Sequence, residues 1–398
     1  MASSTIHTTM TTTPGPFSFQ GYASDNLLIL GPLDHQTLII YCVLALIASV
    51  FVFLYCSLIL LSPPRVHTVL SERHYRSAAH PTTPQPLPVL SDPASVDLSV
   101  IIPAFNETAR LPTMLQTTVS HLAKTFSNPK LQRTASSASS GCPRRTYEIL
   151  IVDDGSTDET TKLSIALSSQ YYASHGSEIR VITLANNKGK GGAVNHGMMH
   201  ARGKRLLMVD ADGASRFEDL DKLWARLDVV EAEEPIITTK GDAKAIPSSD
   251  WYEDGRVGAI AVGSRAHLVK TEAVVKRSLL RNILMYTLHT ILLIIGVGHI
   301  RDTQCGFKLF SRPSAQLVFP HQHIYHWIFD VELLLLAKYK GVRVVEVDVE
   351  WHEVEGSKLN VVWDSAMMFK DLLVIRGNYL LGRWKVGDTV WTRKLKRE

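Results

Sequence analysis

The chain has 398 residues, 45% of them hydrophobic and 20% charged, with a formal net charge of +4. That length allows one large domain or two medium ones, that composition excludes wholesale disorder, and so slight a positive balance argues against a nucleic-acid partner. Four scattered cysteines (Cys42, Cys56, Cys142, Cys305) show no zinc-like spacing and fit reduced thiols better than a disulfide framework, and sixteen histidines include no HExxH pairing.

Residues 1–36 are rich in Thr, Ser, Gly and Pro and contain no Lys or Arg, which reads as a disordered tail. From Leu38 to Leu61, twenty-four residues carry no charge, enough helix to cross a hydrocarbon core of about 30 Å. A cleaved signal peptide would have a shorter apolar run with basic residues before it. A transmembrane helix over 37–61 is therefore the expectation. Arg65, Arg73 and Arg76 follow the segment and no basic residue precedes it. The positive-inside rule then puts the tail outside or in a lumen and the remainder in the cytosol. Residues 62–96, with Pro81, Pro84, Pro86, Pro88 and Pro93, read as a Pro/Ser-rich linker.

Leu98 to Phe105 predicts a buried strand, closed by Asn106-Glu107 and followed by a helical pattern through Leu111, Met114, Leu115 and Val119. Ser127 to Arg145 reads as a loop insertion. Glu148 to Asp154 is a second strand ending in acids, with Gly155-Ser156-Thr157-Asp158 supplying the turn and an N-cap. Ile179 to Leu184 is a third strand, followed by Asn186-Asn-Lys-Gly-Lys-Gly-Gly-Ala193. The fourth strand, Arg205 to Val209, ends in Asp210-Ala211-Asp212-Gly213. Strand, acidic or glycine turn, helix, strand again: this alternation predicts βαβ units and an α/β fold with a mostly parallel sheet flanked by helices.

After a polar stretch over 232–256, Val257 to Gly263 is a further strand. Leu279 to Val297 is apolar but broken by Arg281, Asn282, Thr287, His289 and Thr290. A helix lying in the membrane interface over 278–298 suits that pattern, with a second span or a core helix as alternatives. A second span would part Arg301-Asp-Thr-Gln-Cys-Gly-Phe-Lys308 from the acidic half. Trp327 to Glu332 opens a Leu-rich helix ending near Lys340-Gly341, and Val342 to Val349 is a strand. Residues 361–398 form an amphipathic helix and a basic tail, lying either against anionic headgroups or on an ordinary solvated surface.

In a parallel sheet the ends of the acidic strands line one edge and build a single crevice. Carboxylates there can accept bonds from a base and a ribose, while Mg²⁺ or Mn²⁺ on Asp210 or Asp212 bridges to a diphosphate. The Lys188-Gly-Lys-Gly-Gly-Ala193 run adds positive charge and a helix N-terminus, both suited to phosphate.

Ser99 to Glu107, Ile151 to Asp158, Asn187 to Ala193 and Val209 to Asp212 resemble the successive motifs of the family 2 inverting glycosyltransferases of GT-A, Rossmann-like fold. Gly263-Ser-Arg-Ala-His267, Arg301 to Phe310 and Trp327 to Glu332, with one N-terminal anchor, are similar to the branch of that family that glucosylates dolichyl phosphate. The likeness runs over about residues 97 to 385; it implies a GT-A domain within 97–360, UDP-glucose as donor, dolichyl phosphate as acceptor, a divalent metal and the cytosolic face of the endoplasmic reticulum. Membrane lipids are implied partners, and a homo-oligomer stays open. Carried over by motif, Pro103, Phe105, Glu107, Asp153, Asp154, Lys190 and Asp210 would bind the donor, and Asp210 and Asp212 the metal. Arg265 would meet the acceptor phosphate, with Arg277 and Arg281 competing for a second place. Asp212, Arg265 and Asp302 are the catalytic candidates, Asp302 by orienting a basic residue or sugar hydroxyl, or else merely pairing with Arg301. A GDP-mannose-dependent transferase onto the same lipid and an inactive nucleotide-sugar binder are the competing readings.

Overall fold

The computed structural model describes residues 34–64, 68–126, 145–175, 178–232, 258–268, 298, 300–354 and 361–386. The chain divides into two units, 1–57 and 58–398. Helix α1 (His35–Leu61) is apolar on every side and buries no residue, and among the described residues it alone is long and apolar enough to cross a membrane. Arg277, Arg281, the tail 1–33, residues 278–297 of the expected interface helix and the basic end at 393–397 all lie outside the described residues.

The second unit is built on a nine-stranded sheet of order β2-β1-β5-β4-β3-β6-β8-β7-β9. Its strands are β1 (His74–Ser77), β2 (His80–Pro86), β3 (Val96–Ala104), β4 (Tyr147–Asp153), β5 (Ile179–Thr183), β6 (Gly203–Val209), β7 (Ala259–Ser264), β8 (Phe307–Ser311) and β9 (Arg343–Asp348). β5, β4, β3 and β6 run parallel, as the βαβ alternation requires. Side chains on successive strand residues point to opposite faces. In β3, Val100 and Ile102 join one core with Ile149, Leu207 and Leu309, whereas Ile101 joins another with Val152, Met208 and Phe310. Both faces are covered by helices, which is why these strands read as unbroken apolar runs. The flanking helices are α2 (Leu111–Thr125), α3 (Thr160–His175), α4 (Lys190–Met199), α5 (Leu220–Ala232), α6 (Arg312–Val318), α7 (Phe329–Tyr339) and α8 (Val361–Leu380).

Two features depart from expectation. Residues 62–96 are not simply a linker: β1 and β2 extend the sheet beyond β5, and the turn before them brings in Glu72, which is buried. Proline, which lacks an N–H, is tolerated in β2 because β2 is the edge strand of the sheet among the described residues. The second feature is β8, which enters between β6 and β7 antiparallel to both. Its reversed direction carries residues 300–306 to the same sheet end as the C-termini of β3, β4 and β6. Arg312, just after β8, donates to the carbonyls of Leu90, Asp92, Ala201 and Gly203 at 2.6–3.1 Å, tying the former linker to the base of β6.

α8 carries apolar side chains on both its buried and its exposed faces. Leu372, Val374, Ile375 and Asn378 are buried, while Trp363, Phe369, Leu373 and Leu380 face outward. Near its end, Asn378 and Arg383 donate to Ser62 Oγ at 3.0 and 3.2 Å.

Candidate active site

Ala104 of β3 lies opposite Asp153 of β4, and Ile101 opposite Met208 of β6, so β3 and β4 end level and β6 ends two residues earlier, where Asp210 follows it. Asn106 takes a left-handed backbone (φ 53°), alone among non-glycine described residues, a conformation that Asn tolerates better than most. Its Oδ1 accepts from the N–H of Thr157 (2.8 Å) and Asp158 (3.3 Å), and its own N–H donates to Ser156 Oγ at 2.9 Å. The β3 turn and the β4 turn are thereby stitched into one wall.

The expected donor carboxylates take different places in this wall. Asp153 is fully buried and accepts from Ser156 N–H (2.9 Å) and the Thr161 hydroxyl, holding the start of α3. Asp154 accepts from Lys188 N–H at 2.7 Å and so pins the glycine-rich loop. Burial pushes its carboxyl up to about 7, against the pull of the Lys188 and Gly189 N–H groups. Glu107 is gripped by Arg110 in two bonds of 2.7 and 2.5 Å. Arg110, which sequence reasoning missed, also feels the charges of Asp212 and Asp210. A basic residue one helical turn past Asn106-Glu107 was the available signal. Pro103 and Phe105 are half-buried where β3 ends.

Asp210 and Asp212 follow β6 directly. Lys190, the first residue of α4, places Nζ 2.7 Å from Asp210 Oδ1 and 2.9 Å from Oδ2, with its hydrogen bond directed to Oδ2. Oδ1 is shielded from water and accepts no hydrogen bond. Asp212 Oδ1 accepts from Ala214 N–H at 2.9 Å around Gly213, whose φ is +74°. Burial raises the Asp212 carboxyl, and the neighbouring charge of Asp210 raises it further. Gly306 closes this corner: a Cβ there would fall 2.0 Å from Asp210 Oδ2, so any larger residue would push the carboxylate aside.

Arg265 leaves the end of β7 and meets Asp302 in a two-pronged pair, Nε to Oδ2 at 2.7 Å and a terminal nitrogen to Oδ1 at 2.9 Å. Its backbone N–H adds a third bond to Oδ2 at 2.9 Å. Burial opposes the Arg265 charge, but the Asp302 bonds outweigh it and raise the pKa. Burial likewise opposes the Asp302 carboxylate, and Arg265 more than offsets it, so the net shift is downward. Asp302 therefore orients Arg265. Arg301 pairs instead with Glu346 and Asp348, at 3.2 and 3.4 Å. The Arg265 guanidinium also lies 5.5 Å from the centre of the Trp351 ring.

No cluster of three His, Cys, Asp or Glu suited to a metal occurs among the described residues. Two carboxylates one residue apart are hard oxygen donors that do fit a hard cation taking its other ligands from phosphate and water.

Acids at the carbonyl ends of the parallel strands, with Lys190 and Arg110 set around two strand-end aspartates, are the arrangement of a glycosyltransferase of GT-A fold. Residues 99–233 match the family model for glycosyl transferase family 2. The chain is 42% identical over 294 residues to the dolichyl-phosphate beta-glucosyltransferase of Saccharomyces cerevisiae, covering 74% of this chain and 78% of that one. It is 42% identical over 302 residues to the same enzyme of Drosophila melanogaster (76% and 81% covered), and 37% identical over 361 residues to that of Homo sapiens (90% and 99%). The chain belongs to the dolichyl-phosphate beta-glucosyltransferase family. Among solved structures, glucosyl-3-phosphoglycerate synthase of Mycobacterium tuberculosis in complex with UDP overlays with a TM-score of 0.42 at 16% identity, over 71% of this chain and 81% of that one, too loosely to compare residues.

Proposed function

We propose that this enzyme transfers glucose from UDP-glucose to dolichyl phosphate by a single inverting displacement, at the cytosolic face of the endoplasmic reticulum. The observation that carries the reading is the Arg265–Asp302 pair, a fixed guanidinium at the sheet end that also bears Asp210 and Asp212. A phosphate monoester has a second pKa near about 6, so the acceptor oxygen is anionic at neutral pH and needs no strong base. Arg265 orients it toward the anomeric carbon. The new bond forms from that oxygen to the carbon as the bond to UDP breaks, and an α-linked donor gives a β-linked product.

Asp210 and Asp212 would hold Mg²⁺ or Mn²⁺, which when bound offsets the charge gathering on the departing diphosphate. Lys190 and Arg110 add positive charge at that end. Pro103, Phe105 and Glu107 meet the uridine, and Asp153 and Asp154 the base or ribose. Arg277 and Arg281 stay candidates for a second contact to the acceptor phosphate.

The reading takes α1 as a single-pass anchor with a lumenal N-terminus, supported by the basic residues that follow it and the lack of any before it. The outward Trp363, Phe369, Leu373 and Leu380 of α8 support membrane lipids as a partner.

The test is transfer of radiolabelled glucose from UDP-glucose into a chloroform-soluble lipid by the purified full chain, dependent on dolichyl phosphate and Mg²⁺. Label taken only from GDP-mannose would replace the donor. Binding of sugar nucleotide without any transfer would overturn the reading.

A further inference from the structure

Lys308 and Asp330 form an ion pair of 2.7 Å in the interior, with side chains 1% and 3% exposed. A buried pair of this kind is weak as a source of stability, since matched apolar side chains often serve as well. Its position is more telling. Lys308 sits on β8 between Met208 and Val262, two residues past Gly306. Its Nζ also donates to the carbonyl of Cys305 at 2.5 Å. That carbonyl belongs to the peptide leading into Gly306, the residue whose Cα lies against the Asp210 carboxylate.

Asp330 reaches the same corner from another side. It lies in the first turn of α7, and its neighbour Phe329 packs so closely on Gly191 that a Cβ there would fall 2.6 Å from the Phe329 side chain. The start of α7 is thus seated on the start of α4, which carries Lys190. Gly306 and Lys190 both bear directly on Asp210, and the Lys308–Asp330 pair stands behind the two of them.

We propose that the buried Lys308–Asp330 pair is a positioning device for the diphosphate and metal end of the site, keeping Gly306 and Lys190 in register on Asp210. The inference rests on the donor reading above, and its test is independent of the acceptor. Mn²⁺ binding in the presence of UDP is measured on the full chain by electron paramagnetic resonance, for wild type, Asp330→Asn and the apolar double variant Lys308→Met/Asp330→Leu. Partners behind a metal ligand are worth about 10- to 100-fold in metal affinity, so Mn²⁺ affinity is expected to fall at least about tenfold in variants that keep a wild-type melting profile. In the same variants the KM for dolichyl phosphate should stay within about twofold, since the pair's hydrogen bonds run to the Cys305 carbonyl and within the pair, and none reaches Arg265.

Unchanged Mn²⁺ affinity in a folded variant, or donor and acceptor KM moving together, would overturn the proposal. So would failure of both variants to fold, which would mark the pair as a core element only. If wild type itself bound no Mn²⁺ with UDP, the donor reading would fall instead.

Discussion

Replacing Gly306 by alanine tests the site at its tightest point. The added Cβ would lie 2.0 Å from Asp210 Oδ2, 2.3 Å from Cγ and 2.7 Å from Oδ1. Ordinary contacts of this kind sit near about 3.5 Å, so the carboxylate must retreat by more than about 1 Å. Displacing a catalytic group by about 1 Å costs on the order of 100-fold in rate, or about 2.7 kcal/mol of transition-state stabilisation. Overpacking adds about 1–3 kcal/mol of lost stability, lowering the thermal midpoint by several degrees. The assay is glucosyl transfer to dolichyl phosphate at rising Mg²⁺. The variant should show kcat/KM reduced by about two orders of magnitude and a metal midpoint moved to higher concentration. A folded Gly306→Ala enzyme with the wild-type metal midpoint and kcat/KM within about threefold would refute the assignment of Asp210 to the metal end.

Further outcomes follow from other residues. Asp212→Asn should abolish Mg²⁺-dependent transfer while leaving the melting curve close to wild type, because Asp212 makes a single backbone bond within the fold; full activity with Mg²⁺ would remove it from the metal site. Arg265→Lys keeps the charge but loses the fork to Asp302, so the KM for dolichyl phosphate should rise about tenfold with the UDP-glucose KM little changed; unchanged acceptor kinetics would sink its role. Glu72→Ala strips the acceptor from Val69 N–H, Ala185 N–H and the Lys188 ammonium, and should loosen the glycine-rich loop, raising the UDP-glucose KM about threefold to tenfold at a cost of about 2–4 kcal/mol in stability. A wild-type donor KM would show that segment to be structural only. Burial pushes His196 from 6.5 down to about 4, so the folded chain refuses a proton that the unfolded chain accepts. Its contribution is complete above pH about 6.5 and is lost as pH falls through about 4, amounting to about 3 kcal/mol. Asp154, raised by burial, acts with the opposite sign over much of this range. The difference between wild type and His196→Gln in melts from pH 4 to 8 isolates the histidine, and parallel curves would contradict it.

Much of the fold is local in origin and was therefore legible in the chain. The runs that became β3, β4, β5 and β6 are apolar throughout because both faces of a parallel sheet are covered, and each ends at a turn of acids or glycines. The helix lengths and the charge-free stretch before residue 62 obey the same one-dimensional rules. Asp210 and Asp212 could be named because they follow a strand, at the sheet end where such folds bind ligands, whereas Arg265 was named through the family resemblance.

What the chain could not disclose depends on partners far away in sequence. The proline-rich stretch after the anchor looks like a spacer, and only the free edge of β5 makes its residues into strands. Glu107, Asp153 and Asp154 are the right chemistry for a nucleotide, but the protein groups that hold them, Arg110, Thr161 and the Lys188 N–H, come from other elements. Asp302 could orient a base or pair idly with Arg301; the approach of β7 to the β8 turn decided for Arg265. The Lys308–Asp330 pair had no signal beyond two charges in apolar runs. Electrostatics and close packing act through space over a few ångströms, and only the folded chain sets those distances.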